Sequence, residues 1–224
     1  MKKMTKDHKG FTLLEIIVVL AVIGALAAIL APVVFRYIDD ARRARAQGDV
    51  QKIAEGLNQM YKDTGRWAFF KDGTAKNKYT TGTDAVLLTS NVTCGGQVGS
   101  TCDPLLPTDG SNGTKWQLGA IADNLSDQLI FDTPFASSSG VAYATGTTSK
   151  WNGPYLIKNP GLDPWGRSYL VNIANADPAK ESFGTQQWVI AISAGSDGIL
   201  QTDPTQLLTT VPVTSGDDVL YRVK

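Results

Sequence analysis

Apolar residues run almost without a break from Phe11 to Phe35, and the only ionisable side chain among them is Glu15. A stretch of about 25 residues is long enough to cross a bilayer as a helix. Beyond it the pattern turns from continuous to periodic. Val50, Ile53, Ala54, Leu57, Met60 and Tyr61 recur at three- and four-residue steps, which sets one apolar stripe on a helix that Asp63-Thr64-Gly65 should end. The two patterns join into a single helix from about Thr12 to Asp63, roughly 78 Å at 1.5 Å per residue. Pro32 interrupts it by removing a backbone hydrogen bond, and Gly24 is a second weak point, so bending or local loosening is expected there.

After the helix the pattern dissolves. About half of residues 80–114 are Gly, Ser or Thr with no sustained period, which predicts exposed loops carried on the domain. Leu118, Ile121, Leu125, Leu129 and Ile130 suggest a short second helix within residues 117–131. The last third is strand-like: residues 154–157, 168–171 and 188–192 are short β-prone runs bounded by Gly, Pro and Asn, as in an antiparallel sheet. Such a sheet would bury the helix stripe. Trp67, Trp116, Trp151, Trp165 and Trp188 read as core or sheet-edge packing.

Composition narrows the chemistry. The 224 residues carry 21 Lys+Arg and 21 Asp+Glu, and loss of residues 1–10, with four lysines and one aspartate, leaves a slightly acidic remainder. No nucleic-acid partner is indicated. His8 is the sole histidine, so residues 11–224 cannot build a Ser-His-Asp or Cys-His site or a His-ligated zinc. No catalytic residues are assigned, and an enzyme is not expected. Cys94 and Cys102 bracket seven small and polar residues; outside the cytoplasm they would form a disulfide, and otherwise a free buried pair. Arg42, Arg43 and Arg45 beside Asp39 and Asp40 form the one charge cluster on the helix, a solvated face or an intersubunit pairing surface.

A basic start before an apolar run fits a secretory signal, for which Ala25-Leu26-Ala27 could be the cleavage site, or a plain membrane anchor. Glu15 bears on this choice. A carboxylate in a spanning helix costs about 2.5–3.5 kcal/mol near the bilayer centre and normally has a partner; near the helix end it can instead snorkel to the interface. Lys2, Lys3, Lys6 and Lys9 on one side balance Arg36, Arg42, Arg43 and Arg45 on the other, so charge does not orient the span.

The run KGFTLLEIIVVLAVIGALAAILAP resembles the processing site and N-terminal helix of type IV pilins and type II secretion pseudopilins. The resemblance implies that a prepilin peptidase cuts after Gly10, that Phe11 becomes a methylated N-terminus, and that the N-terminus starts out cytoplasmic. It also implies assembly roles for Phe11, Glu15 and Pro32: Glu15 pairs with the Phe11 amine of a neighbouring subunit, and the helix loosens at Pro32 within the filament. A second resemblance lies in Trp151-Asn152-Gly153-Pro154-Tyr155-Leu156 and Leu162-Asp163-Pro164-Trp165-Gly166-Arg167-Ser168-Tyr169, which look like a signature of the major pseudopilin of type II secretion. Residues 192–198 and 216–219 look like that family's calcium loop, which implies Ca2+ held by Asp197, Asp217 and Asp218 with Ser196, and possible substitution by Asp203. Without the resemblance these segments read as turns.

The expected organisation is a leader over residues 1–10, a membrane and filament-core helix over 11–35, its amphipathic continuation over 36–65, a variable region over 66–150 and a β-sheet region over 151–224. The expected fold is α+β and pilin-like. The expected function is that of a structural subunit of a pilus-like filament, in first place the secretion pseudopilus. A type IV pilus subunit for adhesion, motility or DNA uptake is the alternative, and a monomeric membrane-anchored periplasmic binding domain a second one. By the same resemblance the partners are further copies of the chain, the peptidase, the membrane before assembly, an inner-membrane assembly platform and minor pseudopilins, with the C-terminal domain periplasmic.

Overall fold

The computed structural model describes residues 11–65, 67, 87–90, 116, 122–133, 150–176, 188–207 and 211–223. Cys94 and Cys102, like the leader and Gly10, lie outside the described residues. The chain divides into two compact units, Met1–Ala41 and Arg42–Lys224.

One helix, α1, runs over Leu13–Thr64. Its assignment continues through Gly24 and Pro32, so the expected break at the proline is not seen as an interruption. Pro32 nonetheless withholds the N–H that would reach the carbonyl of Ala28. In the first unit every described residue is exposed, including Ile29 at 69% and Phe35 at 69%. Among the described residues nothing covers that surface.

The second unit is built around the other end of α1. Ala46, Val50, Ile53, Ala54, Gly56, Leu57, Met60 and Thr64 are buried, which matches the predicted stripe except at Tyr61, an exposed ring that stacks on Trp67. Gly65 takes a left-handed conformation (φ 69°) and its N–H donates to the Tyr61 carbonyl, closing the helix as a C-terminal cap. The stripe packs on a five-stranded sheet of β1 (Leu87–Thr89), β2 (Ala122–Asn124), β3 (Leu170–Val171), β4 (Ile190–Ser193) and β5 (Val219–Arg222), in the order β2-β1-β3-β4-β5.

Apolar clusters lie on both faces of the sheet. Successive strand side chains alternate in direction, so Val171 and Ala191 join the cluster that contains α1, whereas Leu170, Ile190 and Ile192 join Trp116, Ala194 and Leu200 on the other side. Trp116 satisfies its indole by donating to the Thr202 carbonyl at 2.8 Å. Tyr169 is buried on the helix side, and its hydroxyl donates to Asp49 of α1 at 3.1 Å. Asp49 also lies 3.6 Å from Arg45 and 3.4 Å from Lys52. Arg45 thus pairs along its own helix and not with Asp39 or Asp40.

Four expectations need correction. The sheet is mixed, because β1 and β2 pair in parallel while the other neighbours are antiparallel. β1 lies inside the region read as loops, and the expected helix over 117–131 shrinks to α2 (Leu125–Leu129) behind β2. Residues 154–157 form no strand: the N–H groups of Tyr155 and Leu156 both donate to the Leu129 carbonyl, and Leu156 turns inward against Gly56 of α1. β5 follows the Gly216-Asp217-Asp218 turn directly, and its four residues pair with β4 from Ile190↔Arg222 to Ser193↔Val219.

Asp127 in α2 is half-buried, and one of its carboxylate oxygens has no hydrogen-bond partner. Burial, aided by the neighbouring charge of Asp123, pushes its carboxyl up to about 6, against a weaker opposing hydrogen bond from Asn124. A carboxyl raised in the folded state holds its proton there longer than in the unfolded chain, so stability falls as pH rises from the ordinary carboxylate range through about 6. Asp127→Asn should therefore raise the melting temperature of the detergent-extracted chain at pH 7.5, with the gain vanishing near pH 4. An equal effect at both pH values would show that charge at this position is not what costs stability.

Candidate functional site

At the start of α1 the sequence Thr12-Leu13-Leu14-Glu15 folds as a capping box, Ser/Thr followed by Glu at the third position. The Thr12 N–H and the Thr12 hydroxyl each donate to Glu15 Oε2 at 2.9 Å, and the Glu15 N–H donates to Thr12 Oγ1 at 3.3 Å. Glu15 therefore has a partner within its own chain, contributed by a residue the sequence reading passed over. The spacing of Thr and Glu before an apolar run was the signal that could have revealed it. Glu15 Oε1 stays outside this arrangement, and Phe11 is 83% exposed beside it. The helix that follows is long and apolar enough to cross a membrane.

In the second unit the loops after β4 and before β5 come together. Asp217 Oδ2 accepts hydrogen bonds from the Ser196 N–H, the Ser196 hydroxyl and the Asp197 N–H, the last at 3.0 Å. Asp218 Oδ2 accepts from the N–H groups of Gln201 at 3.0 Å and Thr202 at 2.6 Å. Asp197 accepts from the Ile199 N–H through Oδ1 and from the Gln201 side-chain amide through Oδ2, both at 2.8 Å. Gly195 permits the approach of the two loops: its φ is +67°, and a Cβ there would collide with the Asp217 carbonyl.

All four residues expected at the metal site thus belong to one network. Asp203 does not; it accepts from the Thr205 N–H and hydroxyl in a local turn. Among the described residues no three Asp, Glu, His or Cys side chains form a group able to hold a metal ion. What the loops do present is a pair of buried carboxylate oxygens, Asp217 Oδ1 and Asp218 Oδ1, that make no hydrogen bond. Burial pushes the Asp218 carboxyl up to about 6, opposed by its Thr202 and Gln201 donors and assisted by the charge of Asp217. For Asp217 burial acts upward as well, but the donors of Ser196 and Asp197 together outweigh it and hold the carboxyl below its ordinary value.

The Asp163 turn is a structural device. Asp163 Oδ1 accepts from the N–H groups of Trp165 at 3.0 Å and Arg167 at 2.8 Å, while Oδ2 accepts from the Ser193 hydroxyl at 2.6 Å, fastening the turn to the end of β4.

Residues 5–31 match the prokaryotic N-terminal methylation motif. The chain is 44% identical over 57 residues to the type II secretion system core protein G of Pseudomonas aeruginosa, covering 25% of this chain and 39% of that protein. It is 34% identical over 88 residues to the toxin coregulated pilin of Vibrio cholerae, covering 36% of this chain and 39% of that protein. The chain thus spans about two-fifths of the length of these curated relatives. No solved structure matches it significantly. The motif, the two relatives and the helix-on-sheet architecture agree in what the chain is similar to, the pseudopilins and pilins of the type IV pilin superfamily.

Proposed function

We propose that the chain is a structural subunit of a type II secretion pseudopilus, assembled through its N-terminal helix after removal of residues 1–10. The observation that carries this reading is a helix exposed over its whole first unit, whose apolar run from Phe11 to Phe35 bears Glu15 as its one carboxylate, four residues from the expected new N-terminus. Within a bilayer that surface is covered by lipid; in a filament the helices of other copies cover it instead. The Phe11 amine created by cleavage offers Glu15 a cationic partner where hydrocarbon supplies none. In this reading the N-terminus begins on the cytoplasmic side, the C-terminal unit lies in the periplasm, and a prepilin peptidase and an inner-membrane assembly platform act on the chain. The likeness to the Vibrio cholerae pilin over 88 residues supports a surface pilus as the second reading.

Calcium belongs to the same proposal. Ca2+ takes six to eight hard oxygen ligands and accepts carboxylates, hydroxyls and carbonyls together, so the absence of a three-carboxylate group is compatible with it. Asp217 Oδ1 and Asp218 Oδ1 are the oxygens left for it, with Asp197, Ser196 and loop carbonyls completing the set. When bound, the ion supplies charge neutralisation and a cross-link between two loops. The residues themselves hold the Gly195–Asp217 approach and keep the start of β5 in register with β4.

Three outcomes follow. Intact-mass measurement of membrane-extracted protein should give a chain beginning at a singly methylated Phe11; a chain beginning at Met1 in peptidase-competent cells, or near Ala28, contradicts the proposal. Glu15→Ala should leave membrane insertion and the C-terminal unit intact while filament yield drops about tenfold or more, the effect of losing roughly 1.4 kcal/mol per contact. Wild-type yield from that variant sinks the pairing. For calcium, the melting temperature should rise above that in chelator, by the equivalent of about 2.7 kcal/mol at a hundredfold excess over Kd, and Asp217→Ala with Asp218→Ala should abolish the rise; identical melting of the wild type in both buffers removes calcium from the proposal.

A further inference from the structure

Within the unit Met1–Ala41, the stretch from Phe11 onward carries charge only at its two ends, and in the same order at both. At the start, cleavage creates a cationic amine at Phe11, with Glu15 four residues on. At the far end Arg36 is followed by Asp39 and Asp40, three and four residues on. The interval from Phe11 to Arg36 is about seven turns at 3.6 residues per turn, and so is that from Glu15 to Asp40. Both cation–anion steps therefore fall on one face of the helix.

Arg36, Asp39 and Asp40 are all exposed. Their spacing is the one at which oppositely charged side chains meet along a helix. Even so, the ion pairs among the described residues are those of Asp49 with Arg45 and Lys52, and none joins Arg36 to either aspartate. Three charges beside a long uncovered apolar surface are left available to another molecule.

We propose that Arg36 pairs with Asp39 and Asp40 of a second copy of this chain, forming a clasp at the opposite end of the apolar run from Phe11 and Glu15. The proposal rests on the filament reading given above. Two parallel helices in exact register would set Arg36 against Arg36 and the aspartates against each other. Sliding one copy by three to four residues, on the order of 6 Å, sets Arg36 beside the two aspartates, and the same slide in the same direction sets the Phe11 amine beside Glu15. One offset satisfies both ends, and the length of the arginine side chain widens the range it tolerates. The apolar surface between the clasps fixes the occupant as something equally apolar along its length, which a second α1 is. A site for anionic lipid headgroups would gain nothing from two aspartates within a turn of the arginine. The mixed signs are self-complementary.

Mixed-copy complementation tests this without confusing pairing between chains with pairing along one helix. Arg36→Glu gives a chain with three acids at these positions, and Asp39→Lys with Asp40→Lys gives one with three bases. Each variant, expressed alone and verified as processed and membrane-inserted, should yield about tenfold fewer filaments than wild type, as expected when close charge pairs become like-charged. Co-expression of the two, carrying different epitope tags, should restore filaments that contain both tags. Wild-type yield from either variant alone overturns the proposal, and so does failure of the pair to rescue each other, since a separate chain cannot repair an intrachain bond. If the three-base variant instead gains filaments and binds phosphatidylglycerol vesicles more tightly, the aspartates oppose a lipid site and the proposal is wrong. Normal assembly of Arg36→Glu in cells where Glu15→Ala fails counts against this clasp alone; normal assembly of Glu15→Ala counts against the Glu15–amine pairing on which the proposed assembly rests.

Discussion

Apolar surface must be covered, and α1 presents it in two forms that demand different partners. Over its first unit the surface is continuous around the helix, which no single sheet or loop of the same chain could enclose; it needs lipid or other helices. From Ala46 to Thr64 it narrows to a stripe, and a stripe can be covered by one face of a sheet. The rest of the second unit is arranged around that requirement. Tyr169 and Val171 bring β3 against the helix, Leu156 fills the space that Gly56 leaves, and Asp49 ties the polar margin of the stripe to the Tyr169 hydroxyl.

Covering the stripe with one sheet face leaves the apolar residues of the other face in need of a second layer. Leu170, Ile190 and Ile192 point away from α1 and need Trp116, Leu200 and Ala194 over them. Leu200 and Ala194 lie on the segment that leads through Asp197 towards Asp217, so the layer that seals the core also carries the aspartate loops. Asp218 marks the cost of this arrangement: its carboxylate is buried at the start of β5, held by two backbone N–H groups on one oxygen and by nothing on the other. A stable β4–β5 register and an unsatisfied carboxylate are products of the same close packing.

How much of this was legible in the sequence depended on the range over which each signal acts. The helix, its stripe and its stop at Gly65 were readable because hydrophobic period and capping are local properties. The β-prone runs at 168–171 and 188–192 hold strands for the same reason. Residues 154–157 look equally β-prone, yet the N–H groups of Tyr155 and Leu156 are both taken by the carbonyl of Leu129, which nothing in the local sequence announces. β1 escaped notice because it is a three-residue strand within a Gly/Ser/Thr-rich stretch, formed by pairing with distant β3 and β2. At the candidate sites, the union of Asp197 with Asp217 and Asp218 could be named only through a family resemblance, since periodicity cannot bring together loops separated by that much sequence. Thr12, by contrast, was readable from its spacing to Glu15.

The Thr12 arrangement changes how the energetics of Glu15 should be judged. A carboxylate without any partner in hydrocarbon would oppose insertion, and its assembly gain would be the whole of that penalty. With two donors from Thr12 on Oε2, part of the penalty is already offset in the single chain. What a cationic amine adds is then the neutralisation of a charge that hydrogen bonds orient but do not cancel, using the oxygen that Thr12 leaves untouched. In the proposed assembly, such an arrangement lowers the cost of Glu15 in the bilayer and keeps it oriented for the exchange of lipid for protein.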